Sequence, residues 1–301
     1  MTSILILGEA GQLACALRAL PWPGSAQVTS LGRRSLGVAT GAGAAAAAAI
    51  AQARPHLVLN AAAYTAVDRA EAEPALAHAL NAALPQAAAL ACAGLRIPFV
   101  HVSTDYVFDG EKPDAYVETD APNPLSVYGA SKLAGDRAVA AVAAERGGLE
   151  SWAILRTSWV FSGTGDSFPH KLLRRARGGE ALRVVDDQVG CPTTAAALAG
   201  AMRAIGLRLL DREPTATGLF NYCGAAAMSW HGFARLLLDA AGRAGLAPPP
   251  LQPISSAEFP TPARRPRRSV LDCGKIGRQC GLPAPAIDGE LDGVVRAILA
   301  G

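Results

Sequence analysis

The chain has 301 residues, half of them apolar, and a formal net charge of +3. A chain of this length and composition can bury a large core, so we expect a globular protein. The small net charge argues against nucleic acid as the main partner. The alanine-rich run 42–53 is too short and too weakly hydrophobic to cross a bilayer, and no basic segment precedes the first apolar run. We therefore expect no targeting segment and no membrane association.

The six cysteines contain no Cys-x-x-Cys pair and lie in unrelated sequence contexts. This distribution favours neither a zinc site nor a disulfide framework. Free thiols in a reducing compartment are the simpler interpretation, so we expect a cytoplasmic protein.

The first predicted strand, Ser3–Leu7, is a continuous apolar run that ends at a glycine turn, and a helix follows to Leu20. Glycines at this point let backbone N–H groups at a helix N-terminus approach a pyrophosphate. A plain strand-to-helix connection is the alternative interpretation of so short a motif. The residues predicted to hold the phosphate are Gly8, Gly11, Gln12 and Leu13.

The second predicted strand, Gln27–Leu31, is followed by Arg33 and Arg34. An acidic residue is usual here when the ribose of NAD is bound, whereas arginine suits a 2′-phosphate. The sequence has no Asp or Glu between Glu9 and Asp68, so we expect NADPH as the cofactor, with NADH as a weaker substitute. Two solvated loop charges are the alternative.

The next strands, predicted at His56–Asn60 and Ile97–Ser103, end in small or hydroxylic residues. Alanines at positions 61–63 would let a flat cofactor lie against the backbone, although close packing in an alanine-rich protein explains them equally. Between these strands the pattern predicts a helix over about 73–90, interrupted at Pro85. The hydroxyl of Thr104 is well placed to polarise a carbonyl group.

Tyr128 and Lys132 follow a proline-rich loop and lie four residues apart at the start of a predicted helix, so they share one face. A neighbouring ammonium favours a phenolate, which would bring the tyrosine into the range of acid–base catalysis. An exposed tyrosine stacked on a lysine stem is the alternative.

A further strand is predicted at Ser151–Leu155, and beyond it the strand–helix alternation becomes irregular until a closing helix at about 289–299. The sequence therefore predicts an α/β fold: a Rossmann-like doubly wound parallel sheet over 1–160 with a smaller substrate-binding domain, mainly 161–301. Segments near 183–200 and 219–224 are predicted to return to the first domain.

A series of motifs covers nearly the whole chain: Gly8-x-x-Gly-Gln-Leu, Asn60-Ala-Ala-Ala-Tyr-Thr-Ala-Val-Asp68, Ser103-Thr-Asp-Tyr-Val-Phe-Asp-Gly110, Tyr128-Gly-Ala-Ser-Lys132-Leu-Ala-Gly135, Leu155-Arg-Thr-Ser-Trp-Val160, Val185-Asp-Asp-Gln188 and Phe259-Pro-Thr-Pro-Ala-Arg-Arg-Pro266. In this order the motifs resemble the dTDP-4-dehydrorhamnose reductase family of extended short-chain dehydrogenases/reductases. The combination is far more specific than any single motif.

The resemblance implies reduction of the 4-keto group of dTDP-4-dehydro-β-L-rhamnose to dTDP-L-rhamnose, which serves polysaccharide synthesis. It assigns catalysis to Thr104, Tyr128 and Lys132. Tyr128 would give its proton to the developing alkoxide, Thr104 would donate to the same oxygen, and Lys132 would lower the tyrosine pKa and bind the nicotinamide ribose. Cofactor contacts would also come from Ala61, Ala62 and Ala63.

The resemblance also implies a substrate-binding set. Val67, Tyr106 and Trp159 would form walls around the sugar, and Arg265 would bind the nucleotide phosphates. Ordinary core aromatics are the alternative for Tyr106 and Trp159. The complete predicted substrate-binding set is Val67, Thr104, Asp105, Tyr106, Tyr128, Trp159 and Arg265.

The chain also departs from its relatives. Relatives commonly carry Asn-Asn-Phe where this chain has Asp166-Ser167-Phe168, and a carboxylate near a diphosphate is unfavourable unless it is neutralised. Some relatives dimerise through a magnesium ion held by glutamates, but two of those positions are Ala16 and Ala196 here. We therefore predict no metal. Any homodimer is expected to use apolar helix faces, such as the one carrying Leu133, Val139 and Val142.

Two alternative functions remain open from the sequence. One is reduction of another dTDP-4-keto-6-deoxysugar, or reduction with the opposite stereochemistry to give a talose derivative. The other is a non-catalytic, NADP-binding accessory protein similar to the regulatory subunit of methionine adenosyltransferase. The intact Thr104, Tyr128 and Lys132 set favours an enzyme.

Overall fold

A computed structural model describes residues 1–37 and 41–301 of the chain. Its strands are β1 (Ser3–Leu7), β2 (Gln27–Leu31), β3 (Leu57–Asn60), β4 (Phe99–Thr104), β5 (Trp152–Thr157), β6 (Val160–Phe161), β7 (Leu182–Val185), β8 (Val189–Gly190), β9 (Thr193–Thr194), β10 (Gly218–Asn221), β11 (Met228–Ser229) and β12 (Leu251–Ile254). Its helices are α1 (Gln12–Ala19), α2 (Ala42–Ala53), α3 (Val67–Ala70), α4 (Pro74–His78), α5 (Leu84–Leu95), α6 (Val127–Ala144), α7 (Phe168–Arg177), α8 (Ala195–Leu210), α9 (Trp230–Arg243), α10 (Gly274–Cys280) and α11 (Asp288–Ala300).

The main sheet has six parallel strands in the order β2-β1-β3-β4-β5-β10. The residues of β3 and β4 are all buried, as expected for strands covered by helices on both faces. From β1 the chain moves outward to β2 and then returns to the other side of β1 as β3. Such a reversal opens a crevice at the carboxyl ends of β1 and β3, where doubly wound sheets bind their ligands. The predicted fold class is confirmed.

The two faces of the sheet carry separate hydrophobic clusters. On one face, α1 and α8 pack together over β1, β3 and β5, with Leu17 and Met202 fully buried. On the other face, α2, α5 and α6 cover the same strands, with Ile50 and Val139 fully buried. Burial of a large aliphatic side chain contributes roughly 1.5–3 kcal/mol, so these two layers supply most of the driving force for the sheet.

The predicted interruption at Pro85 is wrong. The helical segment runs from Pro74 to Leu95 without a break. One π-helical turn, Ala79–Ala83, precedes Pro85, which then occupies the first turn of α5, where a missing N–H group is tolerated. By length and composition this segment could cross a bilayer, but here it packs against α2 and α6 and buries Ala88 in the core.

The later part of the chain builds a smaller layered unit beside the sheet. A third cluster joins α7, α9 and α11 around Phe233 and Leu237, and β7 pairs with β12. Meanwhile β10 completes the main sheet and α8 covers one of its faces. The domain boundary near residue 160 stays a prediction.

The apolar face of α6 does not lie at the surface. Leu133, Val139 and Val142 are at most 5% exposed and belong to the internal clusters. The expectation that this face could form a dimer interface is therefore wrong, because the face already packs inside the monomer.

Close approach of α6 to the π-helical turn depends on a glycine. A methyl group at Gly135 would lie 2.0 Å from the carbonyl oxygen of Asn81, whereas one at Gly94 would meet nothing within 4 Å. We expect Gly135→Ala to lower the free energy of unfolding by about 1–3 kcal/mol through overpacking. Gly94→Ala, the matched control, should be neutral or stabilise by about 0.4–1 kcal/mol because it restricts the unfolded chain. Urea unfolding measures both changes, and equal effects of the two variants would contradict the packing argument.

Candidate active site

A cleft of about 930 Å³ runs along the carboxyl edge of the sheet, across the point where the strand order reverses. Every residue predicted for catalysis, cofactor binding or substrate binding borders this cleft. The set comprises Gly8, Gly11, Gln12, Leu13, Arg33, Arg34, Ala61, Ala62, Ala63, Val67, Thr104, Asp105, Tyr106, Tyr128, Lys132, Trp159 and Arg265. The fold thus gathers onto one surface residues that are up to 257 positions apart, from Gly8 to Arg265.

The glycine turn after β1 has the geometry of a backbone cradle. Gly8 has φ +118°, a conformation that strains other residues, and a Cβ there would lie 3.2 Å from the backbone of Ala61 and Ala62. Helix α1 begins at Gln12, and within the described residues no side chain caps its N-terminus. Its free N–H groups and the small residues after β3 suit the phosphates of a dinucleotide.

Gln12 and Leu13 connect this turn to the rest of the molecule. The Gln12 side-chain oxygen accepts a hydrogen bond of 2.8 Å from Ser162, which links the turn to the segment after β6. Leu13 is 8% exposed and lies mainly in the core beneath the cleft. Their side chains therefore hold the turn in place, which leaves mainly backbone groups facing the cleft.

Both arginines after β2, Arg33 and Arg34, are exposed at the rim of the cleft. A carboxylate that the sequence argument overlooked lies beside them. The Glu9 side chain crosses from the glycine turn to Gly32, so that a Cβ at Gly32 would fall 2.1 Å from its Oε2 atom. The charge at this end of the cleft is thus mixed. No sequence spacing could reveal this, because Glu9 is adjacent to Gly32 only in the folded chain.

The carboxyl end of β4 carries a buried cluster of hydroxyl groups around Asp105. Thr104 and Ser158 each donate to this carboxylate at 3.0 Å, and Ser269 donates as well. Burial raises the pKa of Asp105 to about 6, and the three hydroxyl donors act in the opposite direction. While Asp105 is ionised, the proton of Thr104 points to it. Thr104 can then donate to a substrate oxygen only by turning away from Asp105.

Tyr128 lies in the first turn of α6, whose N-terminus is capped by Ser126 accepting from the Gly129 N–H group at 3.2 Å. Its ring meets Tyr106 edge to face, with the centroids 5.8 Å apart. Burial raises the pKa of Tyr128 to about 12, and a hydrogen bond with Thr104 opposes this shift. The phenol is therefore neutral at physiological pH. This differs from the expectation that Lys132 lowers its pKa, but it is the form that can donate a proton.

Lys132 is only 1% exposed, which excludes an exposed tyrosine–lysine stack. Its Nζ atom donates to the Val102 carbonyl oxygen at 2.6 Å. Burial lowers the pKa of Lys132 to about 8, and the carboxylate of Asp136 acts against this shift. A buried amine that loses its proton this readily can take part in proton transfer near neutral pH.

An aromatic platform forms the opposite wall. Trp159 has φ +46° and stacks on Trp230 with a centroid distance of 3.5 Å and an angle of 7°. Gly190 permits this stack, because a Cβ there would lie 2.4 Å from the Trp159 ring. Trp230, which opens α9 far along the chain, was not among the predicted site residues, because no motif marks it. Tyr106 borders the cleft but is only 9% exposed.

Arg265 borders the cleft and is half-buried, and its guanidinium forms an ion pair with Asp68. Its two terminal nitrogens donate to the two carboxylate oxygens of Asp68 at 3.0 and 2.8 Å. Arg265 thereby holds the pKa of Asp68 below its usual value. A phosphate would have to share or replace this partner, so the predicted phosphate contact stays a prediction. Asp166, the unusual carboxylate, is exposed and lies 3.5 Å from the Lys171 ammonium, which offsets its charge.

Ala16 and Ala196 lie on the neighbouring helices α1 and α8. Across residues 1–37 and 41–301, no three His, Cys, Asp or Glu side chains are grouped in a way that could hold a metal ion. The metal-free site remains a prediction.

The parallel sheet, the glycine turn and the neutral tyrosine beside a buried lysine define a class of protein: a nicotinamide-dependent oxidoreductase of the short-chain type. A family model described as the RmlD substrate binding domain matches residues 1–299. The dTDP-4-dehydrorhamnose reductase of Sinorhizobium fredii (strain NBRC 101917 / NGR234) is 40% identical over 297 residues, covering 98% of this chain and 97% of that protein. The chain belongs to this family, as the motif series predicted.

Solved structures agree with this assignment. The dTDP-4-dehydrorhamnose reductase of Clostridium acetobutylicum ATCC 824 is 30% identical, with a TM-score of 0.87 over 99% of this chain and 100% of that one. The enzyme of Bacillus anthracis str. Ames, solved in complex with NADP, is 28% identical, with a TM-score of 0.85 over 100% and 99% of the two chains. The fold is thus shared over the full length.

The raised pKa of Asp105 predicts a pH-dependent contribution to stability. The folded state binds the Asp105 proton more tightly than the unfolded state, whose pKa is near 3.8. This contribution is therefore favourable below about pH 4 and is lost as pH rises through 6. We expect the unfolding free energy of the wild type, relative to Asp105→Asn, to fall between pH 4 and 7 by on the order of 3 kcal/mol. Urea unfolding of both proteins across this range measures the difference, and a constant difference would contradict the burial argument.

Proposed function

We propose that this protein reduces the 4-keto group of dTDP-4-dehydro-β-L-rhamnose to give dTDP-L-rhamnose, with NADPH as the reductant. The relatives named dTDP-4-dehydrorhamnose reductase cover almost the whole chain, and one of their structures contains NADP. We place the reaction in the cytoplasm, in the supply of an activated sugar for polysaccharide synthesis. The observation that carries the proposal is the neutral Tyr128 phenol, which borders the cleft beside the buried Lys132.

The residues present fit the cofactor. Gly8 lets the turn pack closely on the backbone of Ala61 and Ala62, and the N-terminus of α1 offers free N–H groups to the phosphates. The small residues Ala61, Ala62 and Ala63 would lie beneath the nucleotide, and Lys132 would meet the nicotinamide ribose. When bound, NADPH supplies the hydride for the carbonyl carbon.

The protein's own part of the reaction is proton donation and charge stabilisation. Tyr128 donates its phenolic proton to the carbonyl oxygen as negative charge develops there. Thr104, whose hydroxyl lies at the end of β4, donates a hydrogen bond to the same oxygen once it turns from Asp105. Burial of Lys132 and Thr104 keeps the local dielectric low, which strengthens both interactions.

The aromatic platform supports the sugar-nucleotide end of the proposal. Trp159 and Trp230 line the same cleft as Val67 and present flat apolar surface, which suits the hydrophobic face of a 6-deoxysugar or a pyrimidine ring. The carboxylate of Asp166 is offset by Lys171, so an anionic substrate does not face an isolated negative charge. These features suit a dTDP-sugar without specifying the configuration of its product.

The direct test incubates the protein with NADPH and dTDP-4-dehydro-β-L-rhamnose and identifies the product sugar by NMR. We expect dTDP-L-rhamnose. Tyr128→Phe should lower turnover roughly 10²- to 10⁴-fold because the proton donor is lost, while the dissociation constant for NADPH stays within about twofold. Tyr222→Phe, which alters a buried core tyrosine, is the matched control and should keep its activity. A talose product would change the sugar assigned, and an active Tyr128→Phe would remove Tyr128 from the mechanism.

Cofactor preference should depend on the opposed charges at the rim of the cleft. We expect NADPH to be preferred over NADH by on the order of tenfold in kcat/KM, because Arg33 and Arg34 can pair with the 2′-phosphate. Replacing both arginines by Ala should remove the preference, whereas Glu9→Gln should increase it by removing a repelled carboxylate. Binding of 2′,5′-ADP and of 5′-AMP to the three proteins separates affinity from turnover. An unchanged preference in both variants would mean that these charges face only solvent.

A further inference from the structure

A line of polar groups lies behind Lys132, on the side away from the cleft. Asn60 Oδ1 accepts from the Ala62 N–H group at 3.1 Å, and Asn60 Nδ2 lies 3.0 Å from His101 Nδ1. His101 Nε2 lies 3.4 Å from Lys132 Nζ, which donates to the Val102 carbonyl oxygen at 2.6 Å. Asn60 and His101 are both 0% exposed. The side chains of Asn60 and His101 have no role in the reaction described above.

The donor–acceptor direction of these hydrogen bonds is fixed by the Ala62 N–H group, which binds Asn60. A backbone N–H group can only donate, so the Asn60 side chain must turn its oxygen to Ala62 and its NH₂ group to His101. The NH₂ group also only donates, so His101 Nδ1 must accept and carry no proton. A neutral imidazole then carries its proton on Nε2, the nitrogen that faces Lys132. Burial and the nearby Lys132 lower the pKa of His101 well below its ordinary value, so the ring is neutral.

The Nε2–H group can be satisfied in only one protonation state of Lys132. A neutral amine has a lone pair that accepts from His101 and two hydrogens, one of which goes to Val102. An ammonium has three hydrogens and no lone pair, so one of its N–H groups would face the N–H group of His101. In a site without bulk water, such a contact between two donors is unfavourable.

We propose that His101 is a positioning residue for Lys132: Asn60 locks its ring as the Nε2–H tautomer, and the N–H group of that tautomer favours the neutral amine of Lys132 over the ammonium. The inference rests on the proposed function, since it deepens the role of a residue in that site. The chain also connects the backbone of Ala62, a predicted cofactor contact, with Lys132.

Other charged groups around Lys132 do not replace this effect. Asp136, one turn further along α6, favours the ammonium, but its carboxylate is paired with Arg156 of β5 at 3.0 Å. Tyr128 on the same helix is neutral, and Asp105 after β4 is surrounded by its hydroxyl donors. Burial and the imidazole N–H group therefore act together against one nearby carboxylate, of which only Oδ2 is paired with Arg156.

The consequence for the reaction is a readily released proton. After Tyr128 has donated its proton to the substrate, the resulting phenolate must be protonated again. Below its pKa of about 8 Lys132 still carries the proton, but His101 destabilises this ammonium, so it gives up a proton to the phenolate more readily than an ordinary lysine would. Lys132 lies one helical turn from Tyr128, and the neutral amine left behind regains its proton from water in the cleft that it borders. In this arrangement His101 touches neither substrate nor cofactor and acts only through Lys132.

The first experiment observes the unmodified protein. The chain has five histidines and four lysines, so selective isotope labelling gives simple spectra. Nitrogen-15 NMR of the histidine rings should show His101, identified by its absence in His101→Phe, as the Nε2–H tautomer between pH 6 and 9. Carbon-13 NMR of labelled lysines should show one residue titrating at least one pH unit below Lys112, Lys171 and Lys275.

The second experiment reverses the donor–acceptor direction of the hydrogen bonds from Asn60 through His101 to Lys132. Asn60→Asp replaces the NH₂ donor by a carboxylate oxygen, which accepts from His101 Nδ1 and so leaves the Nε2 lone pair free for the Lys132 ammonium. We expect the protonation constant of Lys132 to rise at least tenfold, and the pH at which kcat changes should move upward with it. The effect of the added charge alone is measured by comparing His101→Phe with Asn60→Asp/His101→Phe, since neither protein has the imidazole. Between these two the Lys132 protonation constant should rise several times less.

Three outcomes would overturn the proposal: an Nδ1–H tautomer of His101 in the unmodified protein, a Lys132 that titrates with the other lysines, or an unchanged Lys132 in Asn60→Asp. If the variants fail to fold, as circular dichroism would reveal, the spectra of the unmodified protein still decide. None of these spectra depends on which sugar is reduced. A failed product assay would therefore count against the proposed function and leave the His101 tautomer to be judged separately.

Discussion

The hydrogen bond from Lys132 to the carbonyl oxygen of Val102 is the interaction on which the site depends. It joins the first turns of α6 to β4, the central strand whose carboxyl end carries Thr104 and Asp105. Because α6 is held there, Tyr128 lies beside Thr104 rather than at the surface. Burying an amine is unfavourable unless its hydrogens find acceptors, and this bond supplies one acceptor in either protonation state of Lys132.

The approach of α6 to its neighbours is made possible by missing side chains. A Cβ at Gly129 would lie 2.2 Å from the carbonyl oxygen of Tyr106, and Gly135 meets the π-helical turn in the same way. Glycine is disfavoured within a helix by roughly 1 kcal/mol relative to alanine. Here the two glycines let α6 approach closely enough that Tyr128 and Lys132 lie over the end of the sheet. The same two glycines thus allow the helix packing and set the catalytic geometry.

Most of the sheet was predictable because its strands are short apolar runs that end at glycine, alanine or hydroxylic residues. The predicted bounds of β1, β2 and β3 lie within a residue or two of the observed ones. Pro85 was misjudged because the rule that proline stops a helix overlooks a preceding π-helical turn, which lets the helical segment continue.

The motif-bearing residues of the cleft were also predictable, since short motifs preserve their local spacing. Contacts between distant segments were not. Glu9 over Gly32, Trp230 against Trp159 and Asp68 paired with Arg265 each join positions that no local pattern relates. The neutral state of Tyr128 escaped prediction for a similar reason. Spacing shows that Lys132 is near Tyr128, but burial sets the pKa values of both groups, and burial is a property of the folded chain.

The two ends of the cleft tolerate change differently because they recognise by different means. At the glycine turn, backbone groups are the predicted contacts, and a side chain at Gly8 would press on the backbone of Ala61 and Ala62 and strain the turn that presents them. At the opposite wall, Trp159 and Trp230 bind through apolar area, which falls gradually as side chains shrink. Evolution can therefore alter the sugar that is accepted by changing the aromatic wall, while the cofactor end and the chain from Asn60 through His101 to Lys132 stay as they are. Differences among related reductases should accordingly concentrate near Trp159 and the start of α9, which carry that wall, and be rare at the carboxyl ends of β1, β3 and β4.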